Sequence, residues 1–395
     1  MTDVTEGLRR EIPARIERLK AVLRASGIDG ALLLHAVDLL YHSGTRQNGA
    51  LWVPASGEAA LLVRKSFQRA RAESPLAGVR PFPPGRELSS LLSRCPRIGV
   101  CFDVTRVSQL DWWRKHLPGH EFVDISAQLR GLRSRKSPAE LEQMRLGGRK
   151  LAAVIGEIPS FLRAGMRELD IAAEIEVRLR RAGNEGSPRL RSPNLELFTG
   201  LVVSGEAGAE TGAFDGPVVG RGLSAAQPVG PSERVIRTGD AVLVDYTALF
   251  GGYLLDMARV FVVGTLEAEL TRAIEVSLAI QEEIVPRLVP GEVPAELYDL
   301  AADRAEAAGL APYFMGVGDD ASRFVGHGIG MELDEFPVLA PGFDEPLEEG
   351  QVVALEPKFV FPGRGAVGVE NTWAVTRAGG EKLTPLADGL VRVPT

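Results

Sequence analysis

The sequence predicts an α/β protein of two domains, and three observations carry that expectation. The chain has 395 residues, 45% of them hydrophobic, which is enough for more than one sizeable core. Stretches with helical apolar spacing alternate with short apolar runs bounded by Gly, Pro and Ser, as in helices layered on sheets. Ser137-Pro138-Ala139-Glu140 reads as a fresh helix start, with Ser137 as cap, Pro138 in the first turn and Glu140 three residues on. A boundary near LRGLRSRKSPAE separates a small α/β domain from a larger α/β domain that this helix opens.

Residues 10–27 have Ile12, Ile16, Leu19 and Leu23 on one stripe and predict an amphipathic helix. GIDGALLLH predicts a buried strand, and NGALWVPASGEAALLV two strands joined by a Gly/Ser turn. RIGVCFDV and HEFVDI add strands, with a helix over 106–117 between them. Trp112 and Trp113 on that helix read as packing residues. In the second domain the pattern predicts helices over 138–163, 168–182, 266–287 and 294–308. Strands are predicted over 198–204, 240–249, 252–263, 350–360 and 366–376, with polar Gly/Pro-rich loops over 183–198 and 205–233.

The formal charge of −7, from 52 acidic and 45 basic residues, gives no electrostatic footprint for nucleic acid. No apolar stretch reaches membrane-spanning length, and MTDVTEGLRREIPARIERLK has no secretory hydrophobic core. Two cysteines, Cys95 and Cys101, make neither a disulfide framework nor a thiolate metal site. A cytoplasmic protein is the expectation.

The chemistry is concentrated late in the chain. Asp245 ends a hydrophobic strand, and Asp256 follows eleven positions later, beyond a Gly251-Gly252 turn. That step can put two carboxylates on one face of a hairpin. Glu356 in VVALEPKF and Glu370 in AVGVENTWAV repeat the arrangement, and His327 lies in GHGIG. Carboxylates inside apolar strands need partners, and Arg259 alone is a poor one for Asp256. Taken singly, Asp245 reads as a turn residue and His327 as a structural histidine. Taken together, four carboxylates and one imidazole suit two divalent ions, Mn²⁺ first, with Co²⁺, Zn²⁺ or Fe²⁺ as alternatives.

VLVDYTALFGGYLLDMARVF, GHGIGMELDEFP, LEEGQVVALEPKFVFPG and GAVGVENTWAVT together resemble the metallopeptidase family that includes proline dipeptidase, aminopeptidase P, methionine aminopeptidase and creatinase. The resemblance implies a pita-bread catalytic domain over 134–395 and a creatinase/prolidase-like N-terminal domain over 1–133. It implies that Asp245 binds the first metal, that Asp256 and Glu370 bridge the pair, and that His327 and Glu356 complete the second. Glu356 is also the implied proton carrier, and a metal-held hydroxide the implied nucleophile. Tyr246, Asp334 and His42 are candidate substrate contacts, and Asp334 is also a candidate catalytic group. His42 would reach the neighbouring subunit of a homodimer.

Several positions depart from the family pattern. His327 is the only histidine after residue 120. A second imidazole usually falls seven positions later, where this chain has Asp334. A third usually precedes the first ligand strand, where Gln227 is the nearest polar residue. Gly368 stands where the family often has Arg, and Ala258 where it often has Thr. An ionised Asp334 accepts hydrogen bonds but donates none. It therefore either faces a cationic or N–H-rich substrate group, or turns outward to pair with Arg323 or Arg259. The expected activity is hydrolysis of a C–N amide bond, as an Xaa-Pro dipeptidase or aminopeptidase on short peptides. A metal-dependent amidohydrolase on a small non-peptide substrate and a noncatalytic binding protein are the alternatives.

Overall fold

The computed structural model describes residues 3–92, 95–192, 200–212 and 214–394. Residues 193–199, which hold the end of one predicted loop and the start of the strand predicted at 198, lie outside that description. The chain divides into two units, Met1–Arg133 with Arg191–Pro193, and Ser134–Leu190 with Asn194–Thr395.

In the first unit, Ile12, Ile16, Leu19 and Leu23 are buried along α1 (Asp3–Ala25), as their spacing requires. There follow β1 (Gly30–Leu33), α2 (Ala36–Ser43), β2 (Gly49–Pro54), β3 (Ala60–Val63), α3 (Phe67–Glu73), β4 (Val79–Pro81) and α4 (Gly85–Leu92). The unit continues with β5 (Arg97–Val100), α5 (Val107–His116), β6 (Glu121–Asp124) and α6 (Ser126–Ser134). The six strands form one mixed sheet in the order β4-β3-β2-β1-β5-β6. β1 and β3 are buried along their whole length because apolar groups cover both faces of the sheet. Asp38 is buried at the start of α2 and bonds Arg133 at 2.7 Å. Arg191 returns to this unit and grips Asp103 through two bonds of 2.6 and 3.0 Å, a connection that no local pattern signals.

The second unit opens on α7 (Pro138–Gly156). Ser137 Oγ accepts from the Glu140 amide at 3.1 Å, and Glu140 accepts from the Ser137 amide at 2.8 Å, which is the predicted capping box. Then come α8 (Glu168–Ala182), β7 (Gly200–Ser204), β8 (Val242–Phe250), β9 (Tyr253–Val263), α9 (Ala268–Ile284) and α10 (Pro294–Ala307). The unit ends with β10 (Gly326–Gly328), β11 (Glu335–Leu339), β12 (Val352–Leu355), β13 (Lys358–Phe361), β14 (Gly365–Gly368), β15 (Asn371–Thr376), β16 (Gly379–Lys382) and β17 (Val391–Val393). They build sheets in the orders β17-β9-β8-β7 and β11-β10-β12-β15-β16, with β13-β14 as a separate ribbon. The apolar faces of α9 and α10 pack with β9, β12 and β13 residues in one core.

The strands predicted over 350–360 and 366–376 are each broken in two. β12 gives way to β13 at Glu356-Pro357, and β14 to β15 at Val369-Glu370. β12 pairs with β15 and β13 with β14, so a single long hairpin leaves one sheet and becomes a free ribbon at both glutamates. Pro357 has no amide hydrogen to continue the ladder. The Glu356 amide donates instead to Val325 O at 2.9 Å, and the Glu370 amide to Ala258 O at 3.2 Å. Among the described residues, no helix is long and apolar enough to cross a membrane.

Candidate metal centre

β8 and β9 pair with Asp245 opposite Ala258 and Thr247 opposite Asp256. Alternate residues share a face, so this register sets Asp245 and Asp256 diagonally on the same face. Asp256 is fixed from both strands beside it. Thr247 Oγ1 donates to its carboxylate at 3.1 Å, and Thr372 Oγ1 accepts from its backbone amide at 2.9 Å. Ala258 bridges to Glu370, which brings the break before β15 against the same face.

His327 occupies the middle of β10, between Val338 of β11 and Ala354 of β12. Its glycine neighbours are a packing requirement. A Cβ at position 326 would lie 2.6 Å from Ala354 O, and one at 328 would lie 2.4 Å from Phe336 O. His327 Nδ1 lies 3.0 Å from Leu333 O. A carbonyl only accepts, so Nδ1 carries the proton and Nε2 keeps a lone pair for a metal. Nε2 is 3.5 Å from Glu356 Oε1.

The side chain that completes the cluster is a lysine. Lys358, the first residue of β13, sends Nζ to Asp245 Oδ2 at 2.6 Å, Glu356 Oε2 at 2.7 Å and Glu370 Oε2 at 2.8 Å. Sequence reasoning missed it, although the signal was available. A lysine in the apolar run KFVF, two residues after Glu356, needs a buried anion. Burial opposes its charge, but Asp245, Glu356 and Glu370 outweigh that cost and hold the ammonium protonated well beyond the ordinary lysine range. Burial and the charge of Asp245 push the Asp256 carboxyl up to about 7. Burial and the charge of Asp256 raise Glu370 well above a normal glutamate. For His327, burial works against protonation, but Glu356 and Asp334 raise its pKa on balance.

The donor set therefore splits into two halves. Asp256, His327 and Glu370 each offer one ligand atom, and these atoms lie within 4.8 Å of one another. Two oxygens and one nitrogen fit a single divalent ion. The other half, Asp245, Glu356 and Glu370, surrounds the Lys358 ammonium.

Arg259 is fully buried and serves the scaffold rather than Asp256 or Asp334. It donates to Ala258 O at 2.7 Å, Glu370 O at 2.9 Å and Asn371 Oδ1 at 2.8 Å, which ties β9 to β15 beside the ligands. Asp334 is half-buried, and its charge acts on His327. Two expected substrate contacts lie elsewhere. Tyr246 follows Asp245 on β8, so it faces the opposite side of the sheet, where its hydroxyl is 3.4 Å from Ala172 O. His42 has no exposed surface inside the first unit, so its ring presents nothing to a neighbouring subunit. Gln227 closes a tight turn with Ser224. Trp112 and Trp113 pack edge to face and line a cavity of about 500 Å³ in the first unit, together with Arg46, Gln47 and Arg64.

Comparison with known proteins gives two family matches, metallopeptidase family M24 over residues 142–377 and the Creatinase/Prolidase N-terminal domain over 15–135. An Xaa-Pro dipeptidase of Pyrococcus furiosus is 26% identical over 377 residues, covering 94% of this chain and 97% of that protein. Among solved structures, an Xaa-Pro dipeptidase from Bacillus anthracis is 26% identical with a TM-score of 0.82, covering 96% of this chain and 99% of that one. The dipeptidase PepE from Mycobacterium ulcerans is 25% identical with a TM-score of 0.82, and the two chains cover each other fully.

Proposed function

This chain belongs to metallopeptidase family M24, a dinuclear metal-dependent family, and from that premise we propose that it hydrolyses the C–N bond of short Xaa-Pro peptides. The observation that carries the reading is the convergence of Asp256, His327 and Glu370 on one ion-sized space, with Glu356 beside it. The relatives named for Xaa-Pro dipeptidase activity align along nearly the whole chain, which supports the substrate class.

Asp256, His327 and Glu370 would hold a divalent ion, Mn²⁺ as the first candidate, which would polarise the scissile carbonyl and make a bound water a better nucleophile. The chain's own groups do the rest. Lys358 holds Glu356 through Oε2, which leaves Oε1, on the His327 side, to take a proton from water and deliver it to the leaving nitrogen. Leu333 O fixes the His327 tautomer. Asp334 accepts from a substrate ammonium, where an imidazole would have donated to a carbonyl. The enzyme is taken to be a cytoplasmic homodimer, which sedimentation of the purified protein and fractionation of cells check.

The test is a panel of Xaa-Pro dipeptides and longer Xaa-Pro peptides, assayed after loading with Mn²⁺, Co²⁺ or Zn²⁺. Cleavage that Asp256→Asn lowers by at least about a thousandfold supports the proposal, since it removes a metal ligand. A folded, metal-loaded protein that cleaves nothing in the panel sinks the peptide assignment. Asp334 favours one second reading, a small non-peptide amide with a cationic group, and activity confined to such amides would select it.

A further inference from the structure

We propose that the Lys358 ammonium stands in the place of one cation of the family's metal pair, which leaves this chain a single divalent-ion site at Asp256, His327 and Glu370. The inference rests on reading the cluster as the metal centre of the hydrolase, and it is independent of which substrate the enzyme takes.

The first ground is coordination. An ammonium has three N–H donors. All three are used on carboxylate oxygens, at 2.6 Å to Asp245, 2.7 Å to Glu356 and 2.8 Å to Glu370. A second divalent ion would need those same oxygens, and would sit at contact distance from a like charge.

The second ground is space. Lys358 pairs across the ribbon with Gly368. A Cβ at position 368 would lie 2.8 Å from Lys358 Cγ and 2.6 Å from Pro357 O. Glycine at this position, where the family often carries a basic side chain, leaves room for the Pro357 carbonyl and for the lysine stem. The positive charge of this chain lies across the ribbon from that position and points into the cluster.

The third ground is confinement. The Lys358 side chain is 3% exposed, and Phe359 and Phe361 beside it on β13 are fully buried. The ammonium itself is nearly out of water, while the carboxylates it bonds keep a small exposure, 14% at Asp245 and 6% at Glu356. Displacing it would break three ion pairs at buried carboxylates at once. Asp245, which the sequence assigns to the first metal, is thus a ligand of the lysine. Lys358 is a positioning residue that holds three carboxylates apart and oriented without an ion.

The experiment counts metal and does not need turnover. The purified full-length protein is saturated with Mn²⁺ or Zn²⁺ and desalted, and metal per chain is measured by inductively coupled plasma mass spectrometry, with calorimetric titration as the solution count. One ion per chain is expected for the wild type, and two for Lys358→Gly, in which Asp245, Glu356 and Glu370 lose their cation and recruit another. Two ions in the wild type, or none, overturns the proposal, and so does a folded Lys358→Gly that still takes only one. Lys358→Ser opens the same space and carries the same expectation where the glycine variant does not fold, and the wild-type count decides in either case. A one-ion enzyme inactive on every Xaa-Pro peptide would refute the substrate assignment and leave this inference standing.

Discussion

His42 lies in α2 with Nδ1 3.0 Å from Asp38 O, and its Nε2 has no hydrogen-bond partner among the described residues. Burial is the main force on it and pushes its pKa down to about 4, against the opposing pull of the Asp38 carbonyl and carboxylate. Arg15 and Arg133 add to the depression. In the unfolded chain a histidine takes its proton near pH 6.5. Between pH 6.5 and 4 the unfolded state therefore binds more protons, and stability falls as the pH falls through that window. The loss should approach about 3 kcal/mol by pH 4, since moving a pKa by one pH unit is worth about 1.4 kcal/mol. Urea unfolding followed from pH 7 to 4 should show this slope in the wild type and lose most of it in His42→Leu. Equal slopes in the two proteins would mean that other groups carry the acid sensitivity. Lys358 is the opposite case, a charge kept buried because three carboxylates surround it. Its presence in KFVF was visible in the sequence, but its partners were not, because Asp245 is 113 positions away.

The long hairpin from β12 to β15 shows why some elements were legible and others were not. Periodicity predicted continuous strands over 350–360 and 366–376, and their apolar runs do form strands. The breaks at Glu356-Pro357 and Val369-Glu370 depend on α9, which no local pattern links to them. Ser277 Oγ donates to Pro357 O at 2.6 Å and accepts from the Val369 amide at 3.0 Å. Gln281 Nε2 donates to Leu355 O at 3.2 Å and also to Val369 O, while its Oε1 accepts from Asn371 at 2.9 Å. Two buried polar side chains one helical turn apart thus satisfy backbone groups that the interrupted ladder leaves over. Gln281→Leu would remove the bonds to Leu355 O, Val369 O and Asn371 Nδ2, of which the Asn371 amide keeps Asp388 as a partner, at a cost of about 1–3 kcal/mol for each buried group left unsatisfied. Chemical denaturation should register a loss of at least about 2 kcal/mol, and divalent-ion affinity should fall with it, because Glu370 adjoins the break. A variant as stable as the wild type, with unchanged affinity, would show that water replaces the amide and that α9 does not set the glutamates.

The two units bury separate apolar cores. One is built on α1 and the six-stranded sheet, and the other on α9, α10 and the strands that carry the ligands. The class of fold was legible because helix caps, stripes and apolar runs are local properties, as at Ser137 and along α1. The cluster of carboxylates with His327 was legible because a carboxylate inside an apolar strand is costly to bury unless a cation meets it there. What stayed hidden were facing relations across the chain: the side of β8 to which Tyr246 points, the return of Arg191 to Asp103, and the meeting of Lys358 with Gly368. Asp256, His327 and Glu370, which would hold the ion, all belong to the second unit. A ligand that binds only the folded form stabilises by about 2.7 kcal/mol at a hundred times its dissociation constant, and only in the cooperative unit that holds its site. For a domain of this size, that corresponds to roughly 5–10 °C in melting temperature. Scanning calorimetry of the metal-loaded protein before and after exhaustive chelation should therefore move one transition down by roughly that amount and leave the other in place. Asp256→Asn should abolish the difference by removing a ligand of the ion. If both transitions move together on chelation, the two cores unfold as one, and the stabilisation by metal extends beyond the unit that binds it.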